Sequence, residues 1–125
     1  MKVTCDVKTL LDSVRSILQE LYSKCIQRHG EQVQPEMLLI PKFDLVTQGD
    51  NLLRVCATIR GIDGWINRSI DATVEEDGWI WICPALLLGT LEEFMKFDSK
   101  DITIEQKDSG LVKMRCGNVT VNEWG

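Results

Sequence analysis

The sequence has 125 residues, 44% hydrophobic and 26% charged, with a formal net charge of −5 at pH 7. That length supports one domain, 1–125, and folding hides roughly two-thirds of the extended chain's surface, so a core forms without staples. The acidic balance excludes a general attraction to nucleic acid or anionic membrane, and any phosphate contact has to come from a local basic patch.

Met1–Cys5 reads as a short strand that runs straight into a helix. From Asp6 to Tyr22, the residues Val7, Leu10, Leu11, Val14, Ile17, Leu18 and Leu21 recur at helical spacing and form one apolar stripe. Asp6 stands where its carboxylate accepts from the unpaired N–H groups of the first turn. Lys8, Asp12, Arg15 and Gln19 take the opposite face, and Gly30 is the natural stop. The polar text from Gly30 to Glu36 connects to a strand over Met37–Val46, in which Pro41 argues for an edge or a bulge.

Gln48-Gly49-Asp50-Asn51 is a turn, and LLRVCATIRG (Leu52–Gly61) returns as a hairpin partner. After a second turn at Gly61-Ile62-Asp63-Gly64, WINRSIDATVEE (Trp65–Glu76) alternates wet and dry positions, with Arg68 breaking the dry set. Asp77-Gly78 is a strong hairpin signal and leads into WIWIC, a short buried strand whose Trp79 and Trp81 are expected in the core.

Pro84 suits the first position of a second helix, PALLLGTLEEFMKF, which places Leu87, Leu88, Leu91, Phe94 and Met95 on one face. Lys96 and Lys100 follow at the end that favours cations. Gly89, costly inside a helix, suggests the close approach of another backbone. Leu86, Leu87 and Leu88 exceed a single stripe, so that helix is either buried on two sides or docks on a partner. Three short strands close the chain: DITIEQ, LVKMRC and VTVNEW, separated by turns at Lys107–Gly110 and Cys116–Asn118. The order β-α-β-β-β-β-α-β-β-β is an α+β domain with two helices packed on one side of an antiparallel sheet.

No residue set points to catalysis. His29 and Cys25 lie four apart but lack a third orienting group, and the acidic run around Glu75–Asp77 lacks a metal or a base. The odd number of cysteines, none at C-x-x-C spacing, fits a reducing cytoplasmic setting, and a single histidine offers no zinc site. No apolar run nears about 18 residues and no basic-then-apolar leader opens the chain, so neither a membrane span nor a signal peptide is expected. No metal or cofactor is expected, and no enzyme activity.

In this order of elements the chain resembles one domain of a bacterial DNA sliding clamp, the β subunit of DNA polymerase III, and specifically its N-terminal domain. The resemblance rests on MKVTCDVKTLLDSVRSILQ at the start, on LLRVCATIRGIDGWINRSIDATVEEDGWIWICPALLLGTLEEF, with Cys83-Pro84-Ala85 where the family has V-P-A, and on DITIEQKDSGLVKMRCGNVTVNEW. It implies a DNA-clamp-like domain of a larger ring whose helices face duplex DNA, which tethers DNA polymerase and other replication proteins and has no active site. The family carries three such domains per chain, with its peptide pocket between the second and third, which a chain ending at Gly125 does not contain.

The family's second helix bears Arg or Lys after P-A and near its middle, where this chain has Leu86, Leu87, Glu92 and Glu93. Carboxylates facing phosphate lose counterion-release free energy, so the expected DNA-binding residues are Lys8, Arg15, Lys24 and Arg28 on the first helix. Expected protein-interface residues are Leu86, Leu87 and Trp124, the last marking an edge meant for a neighbour. Open edge strands make self-association an expectation. The alternative to a processivity clamp is a clamp-fold scaffold that has lost DNA encirclement and uses its sheet edges for protein contacts.

Overall fold

The structure is a computed structural model that describes residues 1–29, 43–57 and 66–124, with the backbone alone for 25–29 and 123–124. The elements run β1 (Lys2–Asp6), α1 (Val7–His29), β2 (Phe43–Thr47), β3 (Leu52–Ala57), β4 (Ile66–Asp71), β5 (Thr73–Glu76), β6 (Gly78–Ile82), α2 (Pro84–Phe94), β7 (Asp101–Gln106), β8 (Leu111–Cys116) and β9 (Val119–Trp124). The α+β class stands, with nine strands among the described residues where the sequence suggested eight. The strand beginning at Met37 and the turn at Gly61–Gly64 fall partly or wholly outside the described residues, as do Gly30, Pro41 and Trp65.

The strands form two antiparallel sheets rather than one. The five-stranded sheet has the order β5-β1-β7-β8-β9 and the four-stranded sheet β4-β3-β2-β6. The division falls at Ala72, where the single expected strand Trp65–Glu76 splits. Its first part pairs with β3 (Leu53 opposite Ile70) and its second with β1 (Val3 opposite Val74). Asp77-Gly78 therefore does not close a hairpin; it carries the chain from one sheet to the other. Gly78 is required there by close approach, because a Cβ at that position would lie 2.7 Å from the Cβ of Met1.

The inward residues of both sheets and the apolar faces of both helices make one core. Period-two alternation supplies Leu45, Leu53, Ile80, Ile104 and Met114 from the strands, and helical periodicity supplies Leu10, Val14, Ile17, Leu87 and Leu91, all fully buried. Each such side chain contributes about 1.5–3 kcal/mol of transfer free energy. Asp6 caps α1 as its position suggested: the Thr9 N–H donates to Asp6 Oδ2 at 2.8 Å, and the Thr9 hydroxyl does the same at 2.8 Å. Arg68, the odd residue on the dry face of β4, reaches α1 and donates to Ser16 at 3.3 Å and to Glu20 at 3.2 Å. It ties the helix to the sheet.

Two expectations fail on packing. Trp79 and Trp81 lie outside the core, 58% and 52% exposed, because Ile80 and Ile82 take the inward positions of β6. Gly89 meets no close backbone: nothing lies within 4 Å of a Cβ built there. It sits on the outer surface of α2.

Candidate nucleic-acid and assembly interface

The four basic residues expected to face DNA do not form one patch. Lys8 and Arg15, seven residues apart, share one flank of α1 and are exposed. Lys24 lies nine residues beyond Arg15, which at helical pitch is roughly 180° around the axis. It is half-buried on the other flank. Arg28 belongs to the last turn of α1, and its side chain is outside the described residues. The Arg15 guanidinium points across to α2 and pairs with Glu92 at 3.4 Å, both side chains half-exposed. On α2, Glu93 pairs with Lys96 at 3.0 Å. The outer face of the helix layer is thus charge-compensated rather than basic.

Near the start of α1 the charges are held locally. The Thr9 backbone N–H and hydroxyl hold the Asp6 carboxyl below its ordinary range, with smaller help from Lys100 and Lys8. Burial, then the carboxylates of Asp6 and Asp101, push the Cys5 thiol up to about 12, so it stays neutral. Cys5, Cys56, Cys83 and Cys116 are all free thiols. No helix among the described residues is long and apolar enough to cross a membrane.

A different surface gathers apolar side chains. Leu86 on α2, Phe97 just beyond it and Val119 on β9 are 48%, 40% and 38% exposed. With Gly89, Thr90 and Val121 they line an open groove of about 390 Å³ between α2 and β9. Phe97 is braced by Phe94, ring centroids 6.0 Å apart. The groove runs beside β9, an outermost strand of the five-stranded sheet with no described strand on its far side.

Of the three expected interface residues, Leu86 lines this groove and Trp124 ends its edge strand, backbone-paired with Leu111. Leu87 does not belong there. It is fully buried, because it falls one helical step from Leu86, with Leu91 and Phe94 on the core side. Sequence reasoning missed Phe97, Val119 and Val121. The alternation of VTVNEW was the available signal, since Val119 and Val121 share one face of that strand.

No protein-family model and no curated protein matches this sequence. Solved structures do match, over nearly the whole chain. A Caulobacter crescentus DNA polymerase sliding clamp superposes with a TM-score of 0.70 at 18% identity, covering 98% of this chain and 29% of that one. A putative DNA polymerase III β subunit from Eubacterium rectale gives 0.71 at 22% identity, covering 100% and 30%. The β subunit from Borrelia burgdorferi gives 0.73 at 11% identity, covering 99% and 30%. The chain therefore has the fold of a single bacterial sliding-clamp domain, and it spans about 30% of the length of the clamps it matches.

Proposed function

We propose that this chain is a clamp module that assembles edge to edge into a larger ring around duplex DNA, holding a polymerase or other replication protein by topology and performing no chemistry itself. The observation that carries this reading is the apolar groove of Leu86, Phe97, Val119 and Val121 beside the outer edge of β9. An edge strand presents a row of N–H and C=O groups to a neighbouring strand, and an apolar strip next to it supplies the burial that makes such pairing specific. The helices pack on the inward faces of both sheets, the side that this reading turns toward DNA.

Encirclement asks little of individual phosphate contacts. With Arg15 shared with Glu92, few described cations remain on this layer, so the salt slope of DNA binding should be shallow, about −2 per module in log–log terms. A second reading is favoured by the same ion pairs: a clamp-fold scaffold that assembles without DNA. Retention on a closed DNA circle against the same DNA linearised separates the two. Loss of the protein on linearisation supports a topological link. Equal retention on both forms, or on neither, rejects encirclement and favours the scaffold.

A further inference from the structure

On the outward face of the four-stranded sheet, two large aromatic side chains stand together away from the α2–β9 groove. Trp79 and Trp81 are more than half exposed, with ring centroids 5.6 Å apart and planes at 77°, so each ring fixes the other. The burial pattern of β6, inward at Ile80 and Ile82, makes this orientation obligatory. Two adjacent exposed indoles, with Val46 opposite Trp79, form a contiguous apolar patch on the outward sheet face, and such patches mark recognition sites.

The surroundings decide what such a patch recognises. Across the sheet, Trp81 stands opposite Asp44 and Trp79 opposite Val46. Asp77 lies two residues ahead of Trp79 in the chain and is exposed, its carboxylate accepting from the Gly49 N–H at 2.8 Å and keeping its negative charge. The next strand brings Arg54 opposite Val46, but its guanidinium donates both of its bonds to Asp50 at the β2–β3 turn. Among the described residues of this face, the uncompensated charge near the indoles is therefore negative. Phosphate is repelled here, so an aromatic platform for single-stranded nucleic acid is disfavoured. A cation is favoured twice, by the ring face of Trp79 and by the Asp44 carboxylate opposite Trp81.

We infer that the Trp79–Trp81 face docks a basic segment of another protein, one that lays the methylene stem of a Lys or Arg across the Trp79 ring and brings its charge to Asp44. Val46 continues the apolar floor for a neighbouring aliphatic side chain. The stem contributes apolar contact and the charge contributes a cation–π and ion-pair component. This surface belongs to the four-stranded sheet, and its test is independent of ring assembly through β9.

The probe is a fluorescein-labelled peptide of eight residues alternating Lys and Val, titrated with the chain and read by anisotropy. Saturable binding is expected, weakened by salt, and absent with the matched Glu–Val peptide. Trp79→Ala should weaken it about fivefold or more, Asp44→Asn about threefold, and Trp79→Phe should restore most of the loss, in line with exposed cation–π contacts. Both altered side chains point outward, and far-UV circular dichroism checks that the variants are folded. Absence of saturable binding overturns the inference. So does equal affinity in Trp79→Ala and Asp44→Asn, or a labelled oligo-dT that binds through Trp79 while the Lys–Val peptide does not.

Discussion

The two helices solve the same problem in opposite ways. α1 is 23 residues long, capped by Asp6, and buries the apolar residues from Val7 to Leu21 on one stripe with Lys8, Asp12 and Arg15 outside. α2 is 11 residues, has no side-chain cap at Cys83, carries Gly89 in its middle and shows apolar side chains on more than one face. Length and capping make α1 favourable by itself as well as by packing. α2 depends on tertiary burial, and the apolar surface it leaves over is the wall of the groove beside β9. The helix least able to stand alone is the one that leaves apolar side chains exposed.

The sharpest way to break this contrast is on α2 itself, where adjacent leucines have opposite duties. Leu87→Ala should cost about 2–5 kcal/mol of unfolding free energy, since it empties a fully buried site. Leu86→Asp should cost no more than about 1 kcal/mol of monomer stability, because half of that side chain already faces water. Urea melts of the two variants at low protein concentration check the pair; similar losses would erase the distinction between core and groove.

On α1 the cap is the test. Asp6→Ala should cost about 1 kcal/mol, less than Leu87→Ala, read by the same melts. The Asp6 carboxyl is held below its ordinary value in the folded state, so its contribution is present at neutral pH. It fades as pH falls below about 4, through the lowered folded value. The stability difference between wild type and Asp6→Ala should therefore narrow on acidification. A gap that stays constant down to pH 2 would show that the carboxylate is not the cap.

The smallest effect has the opposite sign. Gly89→Ala should raise stability by about 0.5–1 kcal/mol, because the residue is helical and a Cβ there meets nothing within 4 Å. Thermal melts with a lower midpoint than wild type would contradict the open space beside Gly89.

The inward half of this fold was legible in the sequence and the outward half much less so. Helical spacing gave the buried stripe of α1 residue by residue, and Asp6 was readable as its cap because only a short acceptor at that place serves the first turn. Arg68 was visible as an exception to the alternation of β4, though its partners Ser16 and Glu20 needed the tertiary structure. In GWIWI both alternating sets are apolar, so periodicity could not choose between Trp and Ile, and the isoleucines took the core. The division into two sheets at Ala72 left no composition signal, since both halves are ordinary strand text.

The candidate surfaces were the least legible. Basic residues on a helix can be counted from sequence, but whether they are already paired cannot, and Arg15 is paired with Glu92 77 residues away. The groove is assembled from α2, the turn after it and β9, which periodicity treats separately. Helical spacing put Leu87, and not Leu86, with Leu91 and Phe94, but only the rotation of α2 against the core showed which of the adjacent leucines was left outside.

The measurement that tests the clamp-module reading most directly is the solution mass of the chain by light scattering across a concentration series, for wild type and Leu86→Asp. The reading predicts that wild type associates toward a closed assembly of defined mass, and that Leu86→Asp remains a folded monomer over the same range. A wild-type chain that stays monomeric at every concentration, or a Leu86→Asp variant that assembles as wild type does, would contradict it.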